Sequence, residues 1–193
     1  SGFDGVLITG KSDDKVWLHI TPDGVVFNSA EDLWGLKTTD TENAITEKLD
    51  DKCRIACIGP AGENQVLYSA IVSATRTASR GGPGTVMGSK NLKAIAVSGN
   101  VKPPIADKGA FDETIKKIRD DQKENPSVVG MQMNGTAGLI SVVNAMGALP
   151  TRNFQTGTFE GAEDISGSTI TEKNRVKGFA CASCPVGCSL IAE

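Results

Sequence analysis

One histidine, His19, is present among 193 residues. With so little imidazole, Ser-His-Asp and Cys-His catalysis have no strong candidate. His19 lies in the apolar run Val16-Trp17-Leu18-His19-Ile20, where a core or rim role is expected. No apolar run approaches the ~20 residues needed to cross a bilayer. The formal net charge is −3, so no cationic excess points to nucleic acid or to an anionic membrane. Ser1-Gly2-Phe3-Asp4 has neither the basic region nor the apolar core of a secretory signal. It reads as the interior of a longer chain. The five cysteines are an odd number, and without a secretory context a disulfide framework is a weaker reading than a reduced, cytoplasmic setting. No internal repeat or low-complexity tract occurs.

What is present is an ordinary globular balance, 39% hydrophobic and 22% charged. The length suits one domain, or a domain and part of another. The fold class expected is α+β: a mixed sheet-and-helix region over residues 1–101, then the start of a helical region over 102–193. Strands are predicted at Val6 to Thr9, Val16 to Ile20, Val25 to Phe27, Arg54 to Ile58, Val66 to Val72 and Lys93 to Val97. Thr21-Pro22-Asp23-Gly24 supplies a turn. Thr39-Asp40-Thr41-Glu42 offers capping chemistry for a helix through Ala44, Ile45 and Leu49. Lys102-Pro103-Pro104 marks the change of texture. Beyond it Phe111, Ile115 and Ile118 repeat at helical spacing. A second helix is expected over Asn134 to Leu149, an irregular stretch over Thr151 to Gly167, and a short helix over Thr169 to Lys177.

Two segments carry chemistry. The first is Cys181-Ala-Ser-Cys184-Pro-Val-Gly-Cys188. Three thiolates this close along a chain suit a soft metal or an iron–sulfur cluster, and three free thiols are the poorer reading. Pro185 directly after Cys184 leans toward iron–sulfur over zinc. A tetrahedral site needs a fourth ligand, which this stretch lacks. The spacing reverses the C-x3-C-x2-C of radical enzymes that cleave S-adenosylmethionine.

The second is Arg76-Thr77-Ala78-Ser79-Arg80-Gly81-Gly82-Pro83-Gly84, continuing to Asn91. Glycines admit close backbone approach, and arginines supply planar forks for phosphate, so a phosphate or pterin-pyrophosphate cradle is one reading. A tight loop between two strands is the other. The segment is neither a P-loop nor G-x-G-x-x-G. Elsewhere the plainer readings are preferred. Cys53 and Cys57 are taken as core residues, Trp17 and Trp34 as packing, Glu63 as a turn carboxylate, and Asp112 to Glu124 as a solvated helix face.

Ile58-Gly59-Pro60-Ala61-Gly62-Glu63-Asn64, Arg80-Gly81-Gly82, Val86 through Ile95, Asn153-Phe154-Gln155-Thr156-Gly157 and the three cysteines, in this order, resemble the tungsten-containing aldehyde ferredoxin oxidoreductases. The resemblance implies an N-terminal α+β domain supporting a metal held by two pterins, tungsten or alternatively molybdenum. Helical domains carrying one [4Fe–4S] cluster follow. It implies oxidation of aldehydes to carboxylic acids, with electrons leaving through the cluster to ferredoxin. Carried over position by position, it gives Arg76, Thr77, Ser79 and Arg80 as pterin contacts, by backbone at Thr77 and Ser79. It gives Cys181, Cys184 and Cys188 as three cluster ligands. No residue is assigned a catalytic role. Pro83 departs from the family's loop and stiffens it. The expected partners are ferredoxin, an aldehyde, the remainder of the full-length enzyme and a second copy in a homodimer, with no nucleic acid and no membrane. The fourth cluster ligand and most of the substrate pocket are expected outside these residues, so the chain alone is not expected to oxidise aldehydes. The alternatives are a relative reducing carboxylic acids or aromatic acyl thioesters, and a non-catalytic zinc-binding or scaffold module.

Overall fold

A computed structural model describes residues 1–50 and 52–193. The described chain divides into two compact units, Ser1–Pro104 and Ile105–Glu193.

The first unit is built on a six-stranded sheet. Its elements are β1 (Val16–Thr21), β2 (Gly24–Ser29), α1 (Thr38–Lys48), β3 (Arg54–Cys57), α2 (Pro60–Glu63), β4 (Ile71–Ser73), β5 (Arg76–Ala78), α3 (Pro83–Ser89) and β6 (Leu92–Val97). The strand order is β2-β1-β6-β3-β4-β5. The β1–β6 pair is parallel and the other pairs are antiparallel. Strand alternation sends the adjacent residues Trp17 and Leu18 into different apolar clusters. One cluster joins Trp17, Leu33, Ile45, Ile55, Cys57 and Ala94. The other joins Leu18, Ile58, Met87 and Leu92. Cys53 and Cys57 are both buried and unpaired, as the core reading requires. Trp17 is buried as packing, and His19 is half-buried in the middle of β1 with its Nε2 2.9 Å from Ser98 Oγ.

Three expectations fail in this unit, each for a local reason. Val6 to Thr9 is not a strand. Both edges of β1 are already taken by β2 and β6, so this segment keeps only the packing of Ile8 against the sheet, and Leu7 is exposed. The strand expected over Val66 to Val72 is confined to Ile71–Ser73. Val66 N–H is spent on the Ala61 carbonyl and Ser69 N–H on Val66, which curls the chain out of α2 and leaves Leu67 and Tyr68 exposed. Helix α1 begins at Thr38 with no side-chain cap, because Thr41 turns its hydroxyl back to the Lys37 carbonyl instead.

The second unit contains α4 (Lys108–Lys123), α5 (Pro126–Asn134), α6 (Ile140–Ala145), α7 (Gly167–Lys173), β7 (Arg175–Phe179) and β8 (Ser189–Ala192). Asp107, Asn125 and Ser166 cap α4, α5 and α7 by accepting backbone N–H groups. The helix expected over Asn134 to Leu149 is broken at Gly135, whose backbone (φ 58°) leaves the right-handed region, and resumes as a 3-10 turn and α6. The helix expected over Thr169 to Lys177 stops at Lys173. The chain then forms an antiparallel hairpin of β7 and β8, so the helical unit also holds a small sheet. No described helix is long and apolar enough to cross a membrane.

Candidate functional site

The arginine segment is the outer hairpin of the sheet. β4 and β5 pair through Ile71↔Ala78, Val72↔Thr77 and Ser73↔Arg76, and β5 is the edge strand. Its turn holds Ala74 at φ 49°, and the Ala74 N–H donates to Glu42 Oε1 of α1 at 2.6 Å. Glu42 thus fixes the turn directly before Arg76, a role its position on a charged helix face does not reveal. Arg76, Thr77, Ser79 and Arg80 all lie exposed in this one stretch. Alternation along β5 sends Arg76 and Thr77 to opposite faces, so the four side chains do not form one cradle from the strand alone.

The glycines that follow have mostly another task. A Cβ on Gly82 would stand 1.9 Å from the Leu67 carbonyl oxygen, and one on Gly84 2.7 Å from that of Ala70. A Cβ on Gly88 would stand 1.9 Å from the Gly62 carbonyl oxygen. These residues seat α3 against α2 and the Leu67–Ala70 turn, while Gly81 (φ +86°) faces open space. Backbone-on-backbone packing accounts for three of the glycines that a phosphate loop would also demand, and Gly81 is the one that leaves its backbone accessible.

Under this platform lies an ion pair that the reading of Glu63 as a turn carboxylate misses. The side chains of Lys93 (β6) and Glu63 (α2) are 0% and 4% exposed and bonded to each other. Lys93 Nζ also donates to the Leu36 carbonyl at 2.9 Å, and the Gly35 N–H reaches both Glu63 oxygens at 3.0 and 2.9 Å. Every partner of this buried pair is within the unit, and together they pin the Gly35–Leu36 turn beneath α2. The two residues are 30 apart in sequence, so local pattern gives no sign of the contact. Burial pushes the Cys57 thiol from 9.0 up to about 12, helped by the Glu42 charge.

The cysteine segment joins β7 to β8. Ser183 (φ 59°) and Gly187 (φ 61°) turn the chain twice, and the Cys184 N–H donates to the Cys181 carbonyl at 3.1 Å. Cys181 is exposed, and Cys184 and Cys188 are half-buried, all as free thiols. Among the described residues no three His, Cys, Asp or Glu side chains converge closely enough to hold a single metal ion. The donor chemistry fits an iron–sulfur cluster, whose sulfur ligands sit on different irons and need not converge on one point. All three donors are soft thiols in one reachable loop, and the sequence's only histidine belongs to the other unit.

The motif Asn153-Phe154-Gln155-Thr156-Gly157 forms a tight turn closed by a Thr151↔Thr156 bridge. Arg152, Asn153 and Phe154 are consecutive residues at φ 50°, 55° and 65°, and Phe154 is 81% exposed. Left-handed backbone at three non-glycine residues in a row is costly and clusters at functional segments. The apolar trough lined by Ile8, Val16, Leu18, Phe27 and Leu92 includes none of these groups.

Two family models match the chain in order. The model described as aldehyde ferredoxin oxidoreductase, N-terminal domain, covers residues 1–99. The model described as aldehyde ferredoxin oxidoreductase, domains 2 & 3, covers residues 113–193. The chain is 43% identical to a tungsten-containing aldehyde ferredoxin oxidoreductase of Pyrococcus abyssi over 99% of its own length and 32% of the relative. It is 40% identical to the Pyrococcus furiosus protein of the same description, again over 99% and 32%. It thus spans about a third of the length of these curated relatives. Among solved structures it superposes on the active site complex BamBC of benzoyl coenzyme A reductase with a TM-score of 0.71 and 29% identity, covering 95% of this chain and 30% of that one.

Proposed function

The chain belongs to the aldehyde ferredoxin oxidoreductase family, and on that premise we propose that it is part of an enzyme that oxidises aldehydes to carboxylic acids and passes the electrons to ferredoxin. Residues 1–101 form part of its pterin-binding domain, and residues 102–193 the beginning of its helical iron–sulfur domain. The observation that carries this reading is the cysteine loop between β7 and β8, which offers three soft sulfur donors inside the stretch matched by the second model.

Cys181, Cys184 and Cys188 would hold three corners of a [4Fe–4S] cluster. Arg76 and Arg80 would meet the pterin phosphates, with the backbone of Thr77, Ser79 and Gly81 supplying amide donors. When bound, a tungsten–pterin centre supplies two-electron oxidation and a cluster relays the electrons singly. The chain's own work is positioning. Glu42 fixes the turn before Arg76, and the glycine-seated α3 fixes the segment after Arg80. Guanidinium and backbone N–H groups together suit pyrophosphate oxygens.

A second reading, reduction of an aromatic acyl thioester, is favoured by the BamBC superposition. It ranks lower because the oxidoreductase relatives are 40–43% identical against 29%. The test is metal analysis and aldehyde-dependent viologen reduction in the full-length enzyme carrying Arg76→Ala or Arg80→Ala. Lower tungsten with unchanged iron is expected, because the arginines and the cysteines serve different groups. Unchanged tungsten and turnover in both variants would remove the arginines from the pterin site.

A further inference from the structure

The C-terminal end of α5 gathers contacts from several parts of the second unit. The Met133 carbonyl accepts from Thr171 Oγ1 at 2.8 Å and from Arg175 Nη1 at 3.0 Å, tying α5 to α7 and β7. One residue earlier, Gln132 Nε2 donates to the Pro185 carbonyl at 3.2 Å. Two residues later, Gly135 lies so close to the cysteine loop that a Cβ there would stand 2.9 Å from the Cys188 carbonyl oxygen. The stretch from Cys184 to Cys188 therefore meets α5 near both of its ends.

Gln122, near the end of α4, lines a cavity of about 360 Å³ together with Ser183 and Pro185 of the loop. Its Oε1 is buried and has no hydrogen-bond partner. Buried side-chain acceptors are nearly always satisfied, since an open one bears its whole desolvation penalty. The hydroxyl of Ser183 on the same cavity is a donor of the right kind.

We propose that Gln122 and Gln132 are positioning residues that set the cysteine loop for its iron–sulfur cluster. Gln132 holds the loop through the Pro185 carbonyl. Gln122 holds it by accepting the Ser183 hydroxyl once the loop closes around the cluster. The inference rests on the cluster reading above and deepens it. Groups behind the ligands govern how firmly a metal centre is kept and where its potential lies.

The experiment uses the full-length enzyme, prepared without oxygen, carrying Gln132→Met, Gln122→Met or Ser183→Ala. Methionine keeps the length of glutamine and removes its amide. Cluster loss to a chelator and the midpoint potential from an EPR-monitored redox titration are read for each. Each variant is expected to lose its cluster about tenfold faster and to show a shifted midpoint. Ser183→Ala should match Gln122→Met, and the two together should add nothing further. Ser183 is exposed, so its variant reads the Gln122 contact even if a glutamine variant fails to fold. Unchanged cluster loss and midpoint at equal iron content would overturn the positioning role and leave the cluster standing. An unsubstituted enzyme with no iron–sulfur EPR signal would overturn both.

Discussion

In residues 1–104 the sheet buries Trp17, Leu18, Ile20, Leu33, Ile45, Ile55, Ile58 and Leu92 within their own unit. In residues 105–193 the helices α4, α5 and α6 bury no residue at all, and Ala162 is the one fully buried hydrophobic side chain among the described residues. Phe111, Met133, Leu139, Val142 and Met146 are exposed instead. The first unit closes a core from its own strands. The second is assembled by caps, carbonyl contacts and the β7–β8 hairpin, and it presents apolar helix faces. Exposed apolar helix faces of this kind are surfaces that other protein segments cover, and the chain spans about a third of the length of the curated relatives it matches. The arginine hairpin is thus held by α1 of its own unit through Glu42, whereas the cysteine loop is held by α5 through Gln132 and Gly135.

A large effect is expected where the first unit is tightest. Gly88→Ala places a methyl against the Gly62 carbonyl, backbone on backbone, and should cost about 3 kcal/mol or more by prying α3 from α2. Thermal unfolding of the full-length enzyme reads this as a lowered Tm. Gly135→Ala sharpens the comparison. It meets the Cys188 carbonyl and holds alanine at a positive φ, so faster iron loss is expected, with a smaller fall in Tm than Gly88→Ala produces. If both variants lowered Tm alike and kept their iron alike, the two units would not differ as described.

Next is the buried pair. Lys93→Met leaves Glu63 buried without its partner and should destabilise by about 3–5 kcal/mol, measured by denaturant unfolding. Lys93→Met combined with Glu63→Leu should recover much of that loss, because no charge is then left behind.

A smaller effect concerns pH. Cys57 ionises near 9.0 when unfolded, but burial raises it to about 12 in the fold. Its neutral form is the one the folded state favours. The resulting stability is complete below pH about 9 and is lost as pH rises toward 12. Melting curves should fall over that window less steeply in Cys57→Ala. In the same range iodoacetamide should label the exposed Cys181 of cluster-free protein and leave Cys57 untouched.

Much of the first unit was legible because its signals are local. Val16 to Ile20 and Lys93 to Val97 alternate or run apolar as central strands must, and Cys53 and Cys57 are buried as that pattern requires. Phe111, Ile115 and Ile118 correctly mark α4, although the face they form is not buried within the unit. What could not be read depends on partners far along the chain. Val6 to Thr9 has strand residues but no free strand to join. Glu63 looks like a turn carboxylate until Lys93 meets it. The glycines after Arg80 suit a phosphate loop equally well until Gly62 and Leu67 are placed against them. Gln122 and Gln132 carry no motif, and their relation to the cysteine loop exists only in three dimensions.

The decisive observation is iron in the full-length protein, purified without oxygen, counted per chain and examined by EPR before and after Cys184→Ser. About four iron atoms with the signal of a reduced [4Fe–4S] cluster are expected, and the substitution should abolish or transform that signal. Zinc in place of iron, or an iron signal indifferent to Cys184, would contradict the assignment of this loop as the cluster's seat.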